Sequence, residues 1–351
     1  MSIVIYPPTL DWAWMKQRPQ QLMTQLARLG YTVFFCNRTR SVPRVERIEP
    51  NLFIVHHHEH WLQTAWPKIR KTAPVLVWCS LPFAYLSIAA AYSPNRIVYD
   101  CSDELGEWFR AEKQLAVRAD AIVCSSQRLY HRIRRCYPEQ RAALIRNAYD
   151  PSMMLHLPDE EAAARSGSSK RQQIGYVGAW APWIDEGLIG QCSQLPGAEV
   201  TLIGPPFDRR HRPDAYGGRV RFLGLKRHEE LRDYIQSFSV CVIPFRITPV
   251  AVAANPIKAY EYLAAGKPVI STALPECQRM APHVDIAASR GDFIRKVAER
   301  LDEPGDGAAR ISYALEHTWE RRAREIDAFL RSLPERKEKT RPHGSDQILS
   351  R

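Results

Sequence analysis

Residues 255–272, with the sequence NPIKAYEYLAAGKPVIST, combine a helix start, a lysine and a glutamate at a spacing that suits phosphate binding. Asn255 is a favourable N-cap, and Pro256 suits the first helical position because its missing N–H would be unpaired there anyway. Lys258 and Glu261 are three residues apart, so they share one face of the helix. The free N–H groups and the positive dipole end attract phosphate, and Lys258 adds a full charge there. Glu261 lies one turn deeper, where it can accept hydrogen bonds from two sugar hydroxyls. The segment therefore predicts a binding site for a nucleotide sugar.

Two aspartates follow the apolar run at residues 97–99, in the sequence IVYDCSDE. Carboxylates at the mouth of a parallel sheet suit general-base catalysis, in which one of them removes the proton of a bound hydroxyl. We predict Asp100 as the base and Asp103 as its rival, with helix capping as the alternative role for Asp103. The spacing D-C-S-D does not match a metal-binding D-x-D motif.

A loop rich in aromatic residues occupies positions 6–20, with the sequence YPPTLDWAWMKQRPQ. Exposed aromatic rings with hydrogen-bonding neighbours suit a sugar ring or an isoprenoid head group. We predict that Trp12, Trp14 and Arg18 bind the acceptor, and the alternative is that the aromatic residues only staple the loop to the domain.

A second loop, at residues 175–188, has the sequence GYVGAWAPWIDEGL. Gly178 would let the backbone approach a ligand closely, and Trp180 and Trp183 offer flat surfaces. The loop contains neither lysine nor arginine, so neutralisation of a diphosphate depends on Lys258, on the helix dipole and on Arg246. Arg246 follows the apolar run VCVIPF, where an ordered loop would face the same cleft, although an ordinary surface arginine fits the sequence equally well.

The histidines and cysteines give no metal signature. The run HHHEH at residues 56–60 starts at a strand end, where successive side chains alternate faces and cannot converge on one ion. We predict a polar strand end or loop there, with His58 as an alternative catalytic residue. The eight cysteines form no C-x-x-C pair, and four of them lie in apolar runs, as buried thiols of a reducing compartment do: Cys36, Cys79, Cys124 and Cys241. We therefore expect neither a metal nor a cofactor.

Short apolar runs alternate with helical patterns along the chain, which indicates an α/β architecture with parallel sheets. The predicted strands are residues 3–6, 33–36, 52–55, 75–79, 97–100, 121–124, 174–177, 200–203, 220–223, 240–244 and 269–272. The predicted helices are residues 18–29, 84–91, 186–192, 229–237, 257–265, 291–301 and 308–330. Two β/α series of similar length predict two Rossmann-like domains that face a cleft, where ligands bind beyond the carboxyl ends of the strands.

The polar, serine-rich segment at residues 158–170 separates the two series. We predict a first domain over residues 1–155, which would bind the acceptor, and a nucleotide-sugar domain over residues 172–305. A C-terminal helix would follow at 306–332, and then a disordered basic tail at 333–351.

The signature P-x-K-x-x-E-Y-L-A-x-G-x-P-V over residues 256–269 resembles the donor-binding segment of GT-B glycosyltransferases, and is particularly similar to family 4 and teichuronic-acid-type bacterial enzymes. The resemblance implies the GT-B fold, Glu261 on the nucleotide ribose, Lys258 on the donor phosphates and a last helix that returns to the first domain. Many family 4 enzymes carry a second glutamate near the transferred sugar, at the position where this chain has Ala253.

The resemblance also implies an activity: transfer of a sugar, of hexosyl type, from a nucleotide-diphosphate sugar to an acceptor hydroxyl in the synthesis of a cell-surface polysaccharide or glycoconjugate. The acceptor would be a glycan, a lipid-linked molecule or a small molecule. A sugar-nucleotide epimerase of GT-B architecture is the alternative.

The chain carries 49 Lys and Arg against 38 Asp and Glu, a net charge of +11 that favours anionic partners. Six arginines at residues 128–146 indicate either a solvated face or a surface that contacts anionic lipid. A nucleic-acid-binding protein is a further alternative, but the chain has no recognisable module for it, so we expect no nucleic acid partner. Without an 18-residue apolar run or signal-peptide features, we expect a cytoplasmic protein, in peripheral contact with the inner face of the membrane.

Overall fold

Two parallel sheets organise the protein, one in each half of the chain. The computed structural model describes residues 2–84, 91–104, 106–158, 171–207 and 218–334. Most of the predicted helix at residues 84–91, and the predicted tail beyond residue 334, lie outside the described residues. The first sheet has eight strands in the order β3-β4-β2-β1-β5-β6-β7-β8, and the second has six in the order β11-β10-β9-β12-β13-β14.

The strands of the first sheet are β1 (Ile3–Tyr6), β2 (Thr32–Cys36), β3 (Val45–Glu49), β4 (Leu52–Val55), β5 (Val75–Cys79), β6 (Arg96–Cys101), β7 (Ala121–Cys124) and β8 (Ala142–Leu144). Its helices are α1 (Arg18–Arg28), α2 (His58–Thr64), α3 (Trp66–Ile69), α4 (Phe109–Arg118) and α5 (Gln127–Cys136).

The strands of the second sheet are β9 (Gln172–Val177), β10 (Ala198–Ile203), β11 (Val220–Phe222), β12 (Val240–Ile243), β13 (Val269–Thr272) and β14 (Asp285–Ala287). The helices of this half are α6 (Glu186–Cys192), α7 (Leu231–Ser237), α8 (Pro249–Ala253), α9 (Ile257–Ala264), α10 (Pro275–Gln278), α11 (Arg290–Asp302), α12 (Gly307–Glu316) and α13 (Trp319–Arg331).

The sheets confirm the predicted architecture of two Rossmann-like domains. The central strands are continuous apolar runs, because helices cover both of their faces; all four residues of β1 are buried, for example. Three strands were not predicted. Strand β3, with the sequence VERIE, is a largely exposed antiparallel edge strand. Strands β8 and β14 have only three residues each, which is too short for a periodic signal.

The predicted helix at residues 308–330 is wrong, because two helices occupy this stretch and lie on different domains. Helix α12 packs against α9 of the second domain, and the Arg310 guanidinium donates to the Gly266 carbonyl at 3.1 Å. Thr318 then caps α13. The Trp319 and Ile326 side chains of α13 are buried in the core of the first domain, and α13 lies against α1.

A buried ion pair supports the inner edge of the first domain. The Arg18 guanidinium donates to both Asp100 carboxylate oxygens, at 2.9 and 3.1 Å, and the Trp78 indole N–H donates to the same carboxylate at 3.1 Å. The side chains of Arg18 and Asp100 are 4% and 1% exposed. Arg18 also donates to the Ile145 carbonyl at 2.9 Å and to Asn147 Oδ1 at 3.0 Å.

Asn147 continues this arrangement into the second domain. Its backbone N–H donates to Asn255 Oδ1 at 2.8 Å, and its amide group donates to the Asn255 carbonyl at 2.6 Å. Asn255 in turn donates to Glu276, which also accepts from Arg146 at 2.6 Å and from the Gln127 backbone at 2.8 Å. We call Arg18, Asp100, Asn147, Asn255 and Glu276 the interdomain network.

We predict that Asp100→Ala lowers the free energy of unfolding by about 3–5 kcal/mol, since it leaves the Arg18 charge buried and unpaired. Urea unfolding followed by intrinsic fluorescence measures the loss. The control is Asp285→Ala, which removes an ion pair with Arg300 that is 20–31% exposed and costs about 0–1 kcal/mol. Equal effects of the two substitutions would show that the Arg18–Asp100 pair has no special structural weight.

Candidate active site

A cleft of about 1280 Å³ lies between the domains and is lined by residues of both. From the second domain it takes the carboxyl end of β9, the loop after it and the start of α9; from the first it takes the loop between β1 and α1. This is the position at which parallel α/β sheets bind ligands. Of the predicted site residues, the cleft is lined by Trp12, Trp14, Asp103, Gly178, Asn255, Pro256, Lys258 and Glu261.

The start of α9 differs by one residue from the sequence-based prediction. Pro256, with φ −70° and ψ 116°, is itself the N-cap, and Ile257 is the first helical residue. Asn255 is therefore not the N-cap. Its side chain is 5% exposed and holds Asn147, as described above, so it fixes the approach of the second domain to the first.

Lys258 lies against the end of strand β9. Its Nζ is 4.7 Å from the centre of the Tyr176 ring and 5.0 Å from that of Phe245, both within the range of cation–π attraction. Gly178 has a φ of +143°, and a Cβ at this residue would lie 2.7 Å from Lys258 Nζ. The positive φ favours glycine here, because other residues rarely adopt this conformation, and the end of the Lys258 side chain lies against the position.

Burial changes the proton affinity of both charged groups on α9. It lowers the pKa of Lys258 to about 8, against the opposing effect of Glu261. It raises the pKa of Glu261 to about 7, against the effect of Lys258. No carboxylate of the described residues lies within ion-pair distance of Lys258. The ammonium group is therefore desolvated and available to an anionic ligand.

Tyr262 explains another part of the signature. Its hydroxyl accepts a hydrogen bond from the Val177 backbone N–H at 2.6 Å, inside the core. This bond ties α9 to the end of β9, and so it holds Lys258 and Gly178 in register with each other.

Two predicted donor-binding residues do not line the cleft. The Trp180 ring is 5% exposed and packs edge-on against Phe222 at 5.3 Å, so it belongs to the core of the second domain. Arg246 is exposed on the surface beyond β12. The neighbouring Trp183 does line the cleft, next to Phe207, with 5.5 Å between the ring centres.

The first-domain wall is formed in part by the predicted acceptor residues Trp12 and Trp14. Trp14 is 47% exposed, and Trp12 packs edge-on against Phe35 at 5.1 Å. Arg18 does not line the cleft, because its guanidinium is buried and donates its hydrogen bonds to Asp100, Asn147 and the Ile145 carbonyl.

The structure contradicts the prediction that Asp100 is the catalytic base. Its carboxylate is 1% exposed, bonded to Arg18 and Trp78, and absent from the cleft lining. A carboxylate that is buried and paired in this way cannot reach a ligand. Asp103 is the predicted aspartate that lines the cleft; it is exposed and accepts from the Ser102 hydroxyl at 2.7 Å.

The histidine run has structural roles in the first domain. The His57 ring accepts from the His60 backbone N–H at the start of α2. His58 pairs with the Tyr92 hydroxyl, and burial lowers the pKa of His58 to about 4. In the part of the chain that the structure describes, no three His, Cys, Asp or Glu side chains are grouped as metal ligands.

Half of the arginines at residues 128–146 form ion pairs within the protein. Arg128 bonds Glu104 at 2.6 Å, Arg132 bonds Glu112 at 2.6 Å, and Arg146 bonds Glu276. The other three, Arg134, Arg135 and Arg141, are exposed. No helix among the described residues has both the length and the apolar character needed to cross a membrane.

Several residues of the site carried no distinct signal in the sequence. Phe207 and His228 line the cleft from loops of the second domain, and Lys16 lines it from the first. A single apolar or basic residue in a loop has no periodicity, so its position depends on how the two domains meet.

Comparisons with known proteins agree with this geometry. Residues 172–303 match the family described as Glycosyl transferases group 1. Over 264 residues the chain is 27% identical to a Bacillus subtilis (strain 168) protein named, provisionally, as the teichuronic acid biosynthesis glycosyltransferase TuaH. That match covers 66% of this chain and 64% of the relative, which is less than two thirds of the relative's length.

Solved structures extend the likeness to both domains. Sucrose-phosphate synthase from Thermosynechococcus elongatus superposes with a TM-score of 0.70 at 17% identity, covering 95% of this chain and 98% of that one. Anabaena HepE, solved with UDP-glucose, gives 0.69 at 15% identity, covering 95% and 100%. The chain therefore has the GT-B fold, and its second domain matches the group 1 glycosyltransferases.

Proposed function

We propose that the protein is a glycosyltransferase, of hexosyl type, that moves a sugar from a nucleoside-diphosphate sugar to an acceptor hydroxyl. The observation that carries the proposal is the position of Lys258 and Glu261. Both lie on the first turns of α9, inside a cleft between two domains, and Lys258 lies against Gly178. The group 1 match of residues 172–303 supports it. A role in the synthesis of a cell-surface polysaccharide or glycoconjugate follows the named role of the Bacillus relative.

In this proposal the second domain binds the donor. Lys258 and the free N–H groups of α9 bind the diphosphate, and the Glu261 carboxylate accepts hydrogen bonds from the ribose hydroxyls. As the bond between the anomeric carbon and the phosphate oxygen breaks, negative charge grows on the diphosphate. Lys258 stabilises that charge in a site with little water, where electrostatic interactions are strong. No divalent ion is part of the proposal.

The acceptor enters from the first-domain wall, beside Trp12 and Trp14. Its hydroxyl oxygen forms the new bond to the anomeric carbon while its proton passes to Asp103, an exposed carboxylate of the cleft wall. At the membrane, anionic lipid is contacted by three exposed arginines of the first domain, Arg134, Arg135 and Arg141.

The donor is identified by a thermal-shift screen against UDP, GDP, dTDP and ADP sugars, because a ligand that binds the folded state raises the melting temperature. UDP-glucose is the first probe, since HepE was solved with it. Release of free nucleoside diphosphate that depends on an acceptor fraction would separate transfer from the epimerase alternative. If no donor raises the melting temperature, the proposed function is wrong.

We predict that Lys258→Ala and Glu261→Gln each weaken binding of the identified donor by about 10- to 100-fold, the loss of a hydrogen bond to a charged group. Isothermal calorimetry in the presence of EDTA measures the effect and also tests the absence of a metal. The control is Lys296→Ala, which removes a lysine paired with Asp292 on α11, away from the cleft.

The two pKa values predict a narrow pH window for donor binding. Glu261 is charged above about pH 7 and Lys258 below about pH 8. Affinity should therefore rise as the pH increases through 7 and fall as it increases through 8. Glu261→Gln should abolish the acidic limb and move the basic limb to lower pH, because it removes the charge that opposes the fall in the pKa of Lys258. An unchanged profile in this variant would assign the acidic limb to another group.

We predict that Asp103→Asn retains donor affinity and lowers turnover by roughly 10², because the amide keeps the size of the carboxylate but cannot take the proton. Turnover is measured as nucleoside diphosphate release with an acceptor fraction, and Asp292→Asn on α11 serves as the control. Near-normal turnover of Asp103→Asn would instead favour a retaining reaction, in which the departing phosphate takes the proton.

A further inference from the structure

A nucleoside diphosphate carries at least two negative charges, and the second domain offers it little positive charge. Among the described residues, the lysines and arginines that line the cleft are Lys16, Lys226, Arg227 and Lys258. Lys226 Nζ lies 5.8 Å from the centre of the Tyr234 ring. Arg227 pairs with Glu230 and its side chain is 79% exposed. Of the three lysines and arginines that line the cleft from the described part of the second domain, Lys258 is the one whose pKa burial lowers, and it forms no ion pair with a carboxylate.

Lys16 belongs to the first domain, in the loop between β1 and α1. Its Nζ lies 2.7 Å from Asp150 Oδ2, and the two side chains are 26% and 4% exposed. The cation, and not the carboxylate, is therefore the partner that reaches the cleft. An ammonium group has three N–H donors, so the bond to Asp150 leaves donors for a ligand.

Asp150 holds Lys16 in a fixed position. Its other oxygen, Oδ1, accepts from the backbone N–H and the hydroxyl of Ser152, at 3.1 and 2.7 Å. Although burial alone would raise the pKa of Asp150, Lys16 and Ser152 lower it to about 2, so the Asp150 carboxylate stays charged at neutral pH.

Lys16 lines the same cleft as Lys258 and Glu261. If Glu261 holds the ribose and Lys258 the diphosphate, Lys16 is, among the described residues, the first-domain lysine or arginine that lines the cleft around this ligand.

We propose that Lys16 is a phosphate-binding residue which the first domain supplies to the donor, so that the diphosphate is bound between Lys16 of one domain and Lys258 of the other. This inference rests on the proposed function and deepens it. Lys16 thereby makes the affinity for a diphosphate, and not for the nucleoside, depend on the first domain.

The test compares the nucleoside diphosphate, monophosphate and free nucleoside of the base found in the donor screen, each titrated by calorimetry into the full chain. Lys16→Met should weaken diphosphate binding about 10-fold, weaken monophosphate binding less and leave nucleoside binding unchanged. Lys16→Arg should restore most of the diphosphate affinity because it keeps the charge. A purely structural lysine would change all three ligands by the same factor.

A second variant removes the risk that an unpaired Asp150 disturbs the fold. Lys16→Met combined with Asp150→Asn leaves no unpaired charge and should lose the same preference for diphosphate over monophosphate. Lys71→Met, at an exposed lysine outside the cleft, is the charge-matched control.

The outcomes separate the inference from the proposed function. A parent protein that binds none of the nucleotides refutes both. A parent that prefers diphosphate, with the same preference retained in Lys16→Met and in the double variant, refutes only the role of Lys16. Unchanged donor binding with a raised KM for a phosphorylated acceptor would assign Lys16 to acceptor phosphate and would also overturn the proposal.

Discussion

The interdomain network is the constraint on which the rest of the structure depends. Asn147 donates two hydrogen bonds to Asn255 across the domain boundary, and each residue is bonded on its own side, Asn147 to Arg18 and Asn255 to Glu276. Bonds between groups this well buried are geometrically demanding, because an unpaired partner would carry its full desolvation cost. The network therefore fixes where the start of α9 lies relative to the first domain, and with it the shape of the cleft.

A second set of contacts also joins the two domains. The chain passes between the domains near Tyr149 and again near Trp319, and backbone hydrogen bonds join these two segments. The Tyr149 N–H donates to the His317 carbonyl at 2.9 Å, and the Trp319 N–H donates to the Tyr149 carbonyl at 3.0 Å. Two neighbouring chain crossings restrict relative motion of the domains far more than one flexible linker would. The two crossings and the interdomain network together join the domains at more than one point.

The fold was largely predictable from the sequence, and the site only in part. Continuous apolar runs such as β1 and β12 predict buried strands from their composition alone. The signature of α9 correctly predicted that Lys258 and Glu261 line the cleft. Asp100 and Arg18 show the limit. A charged residue at a strand end or in an aromatic loop has the same appearance in the sequence whether it faces a ligand or another charge. The structure decides between these, because Arg18 and Asp100 lie 82 positions apart and meet only after folding. The same holds for two tryptophans of one loop: the Trp180 ring is buried in the core, and Trp183 lines the cleft.

The break at Thr318, which sends α12 to one domain and α13 to the other, has a consequence for how the chain folds during synthesis. The core of the first domain contains Trp319, Ile326 and Leu330, and the Arg96 guanidinium donates to the Leu330 carbonyl at 2.8 Å. Domains generally fold as units as the chain leaves the ribosome, the N-terminal one first. Here the first domain cannot bury its core until the last helix has emerged, by which time all six strands of the second sheet are already available. The order in which the domains are completed is thus the reverse of the order in which they are translated, and a nascent chain halted before residue 319 would expose the apolar surface that α13 covers.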